Sequence, residues 1–328
     1  MLGKDMHGKI ALEEHFAIEE TLGEPHAFAP VWPELSRRLL NADSCLADMD
    51  AHGIETMVMS LNAPAVQAIP DTASAIAVAR KANDALAEVI VRHPKRFAGF
   101  AALPMQSAEA AAQELTRCVK ELGFVGALVN GFSQAGTADN VTYYDGPEYR
   151  PFWQTVETLD VPFYMHPRNP LPAWAPQYQG HNWMLGPNWA FGAETAIHAL
   201  RLIGSGLFDA HPKLKIILGH LGEGIPALLW RIDNRNGWMK LPHRYAAQHD
   251  VGTYFRKHFY ITTAGNFHTP ALENVMAEIG LDHVLFSVDW PFEDIGQGSR
   301  WLDGAPLSAA QKSRIARDNA IALLKLKV

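Results

Sequence analysis

Eight short apolar runs, most of them rich in β-branched residues and separated by stretches of helical periodicity, constrain this chain more than any other feature. The runs are Lys9–Leu12, Glu55–Ser60, Phe97–Ala102, Val125–Asn130, Val161–His166, Lys215–His220, Phe259–Thr263 and Val284–Val288. Most do not alternate apolar with polar residues, as expected for parallel strands covered on both faces. Helical patterns lie between and after them, over Pro33–His52, Thr72–His93, Ser107–Leu122, Glu148–Leu159, Ala190–Gly204, Gly224–Met239, Gln248–Lys257, Thr269–Ile279 and Ser308–Leu324. Eight βα units are the count of a closed (β/α)8 TIM barrel, an α/β fold. An open doubly wound sheet would carry a glycine fingerprint after its first strand, where Glu13-Glu14-His15 stands instead. No linker or low-complexity segment interrupts the alternation. The expectation is one barrel domain over residues 1–328, with residues 1–8 a tag-like or disordered extension.

The 328 residues suffice for a large core, and barrels of this length are commonly one domain. A formal charge of −7 argues against a nucleic-acid partner, which calls for a basic face. No apolar run approaches the roughly 18 residues of a membrane span, and Met1–Gly8 lacks the apolar segment of a signal peptide. Cys45 and Cys118 both fall in predicted helices, so a disulfide framework is not expected and a reducing cytoplasm is.

Four of the runs end on chemistry. Lys9–Leu12 leads into Glu13-Glu14-His15, Val161–Met165 into His166, Lys215–Gly219 into His220, and Val284–Val288 into Asp289, where Trp290-Pro291 stops the strand. In a barrel, sites gather at the C-terminal strand ends. Glu13 and His15 are two apart and share one side of a strand. With His166 and Asp289 they form a two-oxygen, two-nitrogen set suited to zinc or manganese. His220 has three readings: a fifth ligand, an unligated acid or base, or a strand-end residue bonded to backbone. Glu223 either orients His220 or serves the N-terminus of its helix. Gly219–Gly224 lacks the Lys-Ser/Thr of a phosphate loop. Asn130 ends its strand where many two-metal hydrolases place a lysine, which favours one metal. Its side chain either meets a substrate hydroxyl or forms a turn. Arg168 and Arg231 are candidate carboxylate anchors or plain ion-pair partners. Phe28, Trp189, Phe191 and Phe292 can flank a planar ring or belong to the core. Of the 15 histidines, His7, His26, His52, His93, His211, His243, His249, His258, His268 and His283 read as solvated.

Several long segments carry a resemblance: KIALEEHFAI (9–18), SLNAPAVQAIPD (60–71), GFVGALVNGFSQ (123–134), DVPFYMHPRNPLP (160–172), KIILGHLGEG (215–224) and LFSVDWPFE (285–293). From about Gly8 to its end the chain resembles the metal-dependent aromatic acid decarboxylases of the amidohydrolase superfamily. Its Glu-x-His in place of the hydrolases' His-x-His matches the decarboxylase branch. The resemblance implies an amidohydrolase-like barrel with one divalent metal ion, zinc or manganese, on Glu13, His15, His166 and Asp289, and no organic cofactor. It also implies catalytic roles for Asp289, His220 and Glu223. Phe28, Asn130, Arg231 and Phe191 would surround a small aromatic acid, in a homotetramer whose neighbouring chain can complete the pocket. Ala264, Asn234 and His268 depart from what such sequences tend to carry, and bear on which ring substitution is preferred.

The implied reaction is the reversible, non-oxidative decarboxylation of an ortho-hydroxybenzoate, 2,6-dihydroxybenzoate first, to resorcinol and carbon dioxide. An ortho oxygen lets the acid chelate the ion, and loss of carbon dioxide needs a proton on the ring carbon. Asp289 and His220 compete for the donor role. The rival reading is a metal-dependent hydrolase of a lactone or amide, and a third is a barrel that binds without catalysis. The Glu-x-His pattern and the aromatic loops weigh against the hydrolase; the intact ligand set weighs against the third.

Overall fold

A computed structural model of the chain describes residues 8–23, 30–239 and 245–327. Eight parallel strands form one sheet in chain order: β1 (Lys9–Phe16), β2 (Ile54–Leu61), β3 (Phe97–Ala101), β4 (Gly126–Asn130), β5 (Phe163–His166), β6 (Ile216–Leu218), β7 (Phe259–Thr262) and β8 (Val284–Leu285). Every residue of β1 is buried, as the unalternating run requires. Between the ends of this sheet, β1 and β8, no backbone ladder forms among the described residues. The gap is bridged instead by Ser287, whose Oγ accepts from the backbone N–H of Leu12 (3.2 Å) and Glu13 (2.6 Å), and by His15 N–H donating to Trp290 O at 2.7 Å.

The helices are α1 (Trp32–Leu39), α2 (Leu46–Ala51), α3 (Thr72–Arg92), α4 (Ala108–Lys120), α5 (Arg150–Leu159), α6 (Ala190–Gly204), α7 (Leu207–Ala210), α8 (Ile225–Met239), α9 (Val251–His258), α10 (Thr269–Ile279), α11 (Ile295–Gly304), α12 (Ala309–Ser313) and α13 (Asn319–Leu324). Asp71, Ser107, Asp294 and Ser308 cap α3, α4, α11 and α12 by accepting a backbone N–H in the first turn. The large core lies between sheet and helices. A second cluster gathers Ile10, Leu12, Val58, Phe100, Leu128, Tyr164, Ile217 and Leu285 inside the barrel, with Leu323 and Leu324 of α13 packed against it.

The structure departs from the sequence expectations in several places. The helix expected over 33–52 is broken at Asn41 (φ −133°, ψ 81°), where Asn and Asp side chains favour local turns. The last helix is interrupted by a π-helical turn, Arg314–Asp318. Helix α11 was not expected, because Gly296 and Gly298 lower its propensity; a Cβ at Gly298 would meet the Phe267 ring at 2.9 Å, so close packing demands the glycine. His258 and His211 are buried rather than solvated. His258 Nδ1 pairs with Leu214 O at 2.9 Å and His211 Nδ1 with Glu157 at 3.3 Å. Both cysteines are buried and free. Residues 1–7, and with them most of the expected extension, lie outside the described residues, as do His26, Phe28 and His243.

Candidate metal centre

The centre begins with an irregularity in β1. Ala11 pairs with Met57 and Glu14 with Met59, three residues against two. A bulge of this kind inverts the alternation beyond it. Ile10 and Leu12 face the barrel interior, and past the shift Glu13 and His15 face it too, with Glu14 turned away. His166 ends β5, and Asp289 follows β8 with φ 80°, in the left-handed region. One ligating atom from each of Glu13, His15, His166 and Asp289 lies within 4.8 Å of the others.

Neighbouring hydroxyls decide which atoms face inward. Tyr164 donates its hydroxyl to Glu13 Oε2, and Thr262 stands 2.7 Å from the Tyr164 hydroxyl and 3.3 Å from the same oxygen, leaving Oε1. Ser60 donates to Glu14 O at 3.2 Å, so its oxygen is open to accept from His15 Nδ1, also at 3.2 Å. That pairing puts the ring proton on Nδ1 and leaves Nε2 a bare lone pair. Tyr164, Thr262 and Ser60 were not picked out from the sequence. Tyr164, two residues before His166 on the same strand face, carried a readable signal; the other two did not.

Glu13 Oε1, His15 Nε2, His166 Nδ1 and Asp289 Oδ1 are buried with no hydrogen-bond partner. His15 Nε2 and Asp289 Oδ1 approach to 3.2 Å without hydrogen-bond alignment. Each orphaned buried atom costs about 1–3 kcal/mol, and Glu13 Oε1, His15 Nε2 and Asp289 Oδ1, with His166 Nε2 3.3 Å from Glu13 Oε1, are what a divalent cation would satisfy. Two carboxylate oxygens and two imidazole nitrogens suit a zinc- or manganese-class ion, so the residues fit the group.

The electrostatics are uneven. Burial raises Glu13 to about 7 against the lowering charge of His220, and burial raises Glu14 to about 8 against three hydrogen bonds. Burial also raises Asp289, but His15 and His220 outweigh it and hold the carboxyl well below its usual range. Burial, helped by the charge of His15, pushes His166 well down. For His220 burial opposes the cation, yet Glu223 and Glu13 prevail and its pKa lies well above the ordinary value.

His220 sits on a run of positive φ that includes Leu221, Gly222, Glu223 and Gly224. Left-handed backbone costs a non-glycine residue roughly 1–2 kcal/mol, and such strain collects at functional sites. Its effect is to fold Glu223 back so that Oε1 meets His220 Nδ1 at 2.8 Å. His220 Nε2 then stands 3.6 Å from both Glu13 Oε1 and Asp289 Oδ2. Gly219 lets Glu13 in, since a Cβ there would lie 2.4 Å from Oε2.

Asn130 gives its amide hydrogens to Leu61 O and Asn62 O, and its buried Oδ1 has no hydrogen-bond partner. Phe191 is half-buried at the start of α6, beside Gly192, whose added Cβ would lie 3.0 Å from Glu223 Oε2. Phe292 meets the His15 ring edge-on at 5.8 Å. Two expectations fare differently. Arg168 is buried, with Nη1 donating to Gln67 O and Phe132 O and Nη2 to Gln134 Oε1, which makes it a structural cation. Arg231 is exposed on α8, and Trp189 is 59 % exposed.

The amidohydrolase family profile matches residues 15–326. A gamma-resorcylate decarboxylase of Rhizobium radiobacter is 60% identical over 324 residues, 98% of this chain and 99% of that protein. The crystal structure of a 2,6-dihydroxybenzoate decarboxylase complexed with 2,6-dihydroxybenzoate superposes with a TM-score of 0.95 at 59% identity, covering 98% of this chain and 100% of that one. A dihydroxybenzoic acid decarboxylase from Polaromonas sp. JS666, with bound manganese and the inhibitor 2-nitroresorcinol, gives 0.95 at 58% identity over 98% of each chain. This chain belongs to the amidohydrolase family, within the group of gamma-resorcylate decarboxylases.

Proposed function

We propose that this protein is a carboxy-lyase that decarboxylates 2,6-dihydroxybenzoate reversibly and without oxidation, giving resorcinol and carbon dioxide, in the catabolism of aromatic compounds. One divalent ion per chain is held by Glu13, His15, His166 and Asp289. The observation that carries this is the convergence of four buried ligating atoms within 4.8 Å, three of them, Glu13 Oε1, His15 Nε2 and Asp289 Oδ1, without a hydrogen-bond partner. Manganese is favoured over zinc because the Polaromonas relative carries it. A divalent ion bound there supplies a Lewis acid for the oxygens of an ortho-hydroxy acid.

The chain's own residues do the rest. Asn130 Oδ1, unpartnered and buried, accepts a hydrogen bond from a ring hydroxyl. Phe191 and Phe292 flank the ring. Asp289 delivers a proton to the ring carbon that bears the carboxylate. The carbon–carbon bond then breaks, carbon dioxide leaves, and the bonding pair restores the aromatic ring. His220 resupplies Asp289 across 3.6 Å, held in place by Glu223 at 2.8 Å. The opposite proton affinities of His220 and Asp289 favour a second reading, in which His220 itself is the donor. No observation favours the hydrolase alternative.

Among the described residues no helix is long and apolar enough to cross a membrane. Large exposed side chains, Trp230 (72 %), Trp238 (76 %) and Leu228 (55 %) on α8, support association of copies as a homotetramer. Arg231 and Phe28, the latter outside the described residues, remain candidates for substrate contact in such an assembly. The buried free cysteines are compatible with a cytoplasmic setting.

The test is direct. Manganese-loaded protein given 2,6-dihydroxybenzoate should release resorcinol and carbon dioxide, and should carboxylate resorcinol in concentrated bicarbonate. 4-Hydroxybenzoate, lacking the ortho oxygen, should not turn over. Equal rates on the two acids, or hydrolysis of a lactone in place of decarboxylation, would overturn the proposal.

A further inference from the structure

Between Glu13 and His15 the strand carries a third polar side chain, Glu14, fully buried and absent from the four-residue cluster. Its carboxylate crosses the seam between β1 and β8. Oε1 accepts from Val288 N–H at 2.9 Å and from Ser287 Oγ–H at 3.0 Å; Oε2 accepts from Trp290 N–H at 2.8 Å. Val288 and Trp290 are the residues on either side of Asp289. One carboxylate therefore grips the N–H groups of both residues that flank Asp289.

Asp289 is where a grip is required. Its φ of 80° is a conformation that L side chains rarely adopt. Strain of this kind persists only where the surroundings over-determine it. Backbone contributes to the hold: Gly265 N–H donates to Val288 O at 3.1 Å and His15 N–H to Trp290 O at 2.7 Å. Glu14 is the one side chain among the described residues that bonds both flanking amides. Three donors aimed at its two oxygens fix the orientation of the Glu14 carboxyl. Closing the seam does not by itself require a carboxylate, because Ser287 Oγ already ties Leu12 and Glu13 across it.

We infer that Glu14 is a positioning residue: it holds Asp289 in its left-handed conformation and thereby sets where the Asp289 carboxylate stands beside His15 and His220. The inference rests on the reading of Asp289 as a metal ligand and proton carrier.

The test is a double-mutant cycle of wild type, Glu14→Gln, Asp289→Gly and the pair, read in three ways: manganese dissociation constant by chelator competition, kcat and KM for 2,6-dihydroxybenzoate, and thermal melting. Gln keeps the size and one acceptor oxygen but turns an N–H toward one flanking amide. Gly removes the carboxylate and tolerates positive φ. Glu14→Gln should weaken manganese binding at least tenfold and lower kcat at least tenfold, with KM within threefold. In the Asp289→Gly background the same change should weaken manganese binding less than threefold and shift melting less than in wild type. Manganese binding within threefold of wild type in Glu14→Gln, or an equal melting shift in both backgrounds, would overturn the inference and leave Glu14 a seam residue. Should Glu14→Gln fold only when Asp289 is Gly, the inference stands; failure to fold in both backgrounds overturns it. A wild type that takes up no manganese sinks the metal reading alone, and the melting cycle then decides for Glu14.

Discussion

The phenolic hydroxyl of Tyr164 donates to Glu13 Oε2, and so decides which carboxylate oxygen of Glu13 faces the metal cluster. With that proton directed to Glu13, Thr262 donates to the Tyr164 hydroxyl at 2.7 Å, its own oxygen 3.3 Å from Glu13 Oε2. Oε1, left without a hydrogen-bond partner, is the atom that stands 3.3 Å from His166 Nε2.

Tyr164→Phe should therefore loosen Glu13 without emptying the core. Partners of this kind typically change metal affinity by 10–100-fold. The expected manganese dissociation constant is at least tenfold weaker, about 1.4 kcal/mol, with the melting temperature of the metal-free protein little changed. Chelator competition measures the first and calorimetry the second; unchanged affinity would mean that Tyr164 only packs.

Proton handling separates Asp289 from His220. Asp289→Asn keeps the size and one oxygen but cannot cycle a proton. It should retain part of its manganese, bind the acid, and lose decarboxylation and carboxylation together. His220→Asn should also be impaired, having lost either the donor or its supply. If metal-loaded Asp289→Asn keeps its rate within about tenfold of wild type, roughly 1.4 kcal/mol of barrier, the donor is His220.

Removing the metal should cost stability as well as activity. Three buried ligating atoms, Glu13 Oε1, His15 Nε2 and Asp289 Oδ1, then have no hydrogen-bond partner. An ion that binds the folded chain alone stabilises it by about 2.7 kcal/mol at a free concentration a hundred times its dissociation constant. Chelator-stripped protein should melt several degrees lower and regain both melting temperature and activity with manganese. His166→Ala should show little of that recovery. A stripped protein melting like the loaded one would contradict the site.

Stability toward acid should depend on His198, away from the metal cluster. Its Nε2 accepts the backbone N–H of Tyr144 at 3.3 Å, which only the neutral ring can do, and burial pushes its pKa down to about 3, with the charge of Arg201 adding to the effect. In the unfolded chain it titrates near 6.5. The unfolded state thus binds the extra proton between those values, so the contribution is complete above about 6.5 and declines as the pH falls toward 3. From pH 7 to 5 this group should remove about 2 kcal/mol. Urea midpoints of wild type and His198→Gln at the two pH values measure the difference; a parallel decline in both proteins would assign the loss elsewhere.

Composition and periodicity were enough to place the barrel, because a strand buried on both faces leaves an unbroken apolar run and a helix leaves its caps. Glu13, His15, His166, His220 and Asp289 were legible for the same reason: each stands at the end of such a run, where the fold class puts chemistry. What the linear order could not carry was phase and partnership. The strand read as Lys9–Leu12 continues through Phe16 with a one-residue shift, and that shift, visible only against the paired β2, turns Glu13 and His15 inward and Glu14 toward the seam. For Arg168 the sequence allows a carboxylate anchor or an ion-pair partner, and its Nη1 and Nη2 bond instead to Gln67, Phe132 and Gln134, residues more than 30 positions away. The left-handed turn that brings Glu223 to His220, and the hydroxyls of Tyr164, Thr262 and Ser60 that choose the ligating atoms, are likewise settled by contacts between distant segments. The local pattern determines which residue types arrive at the barrel mouth; packing against residues far away in sequence decides which atom of each one points at the centre.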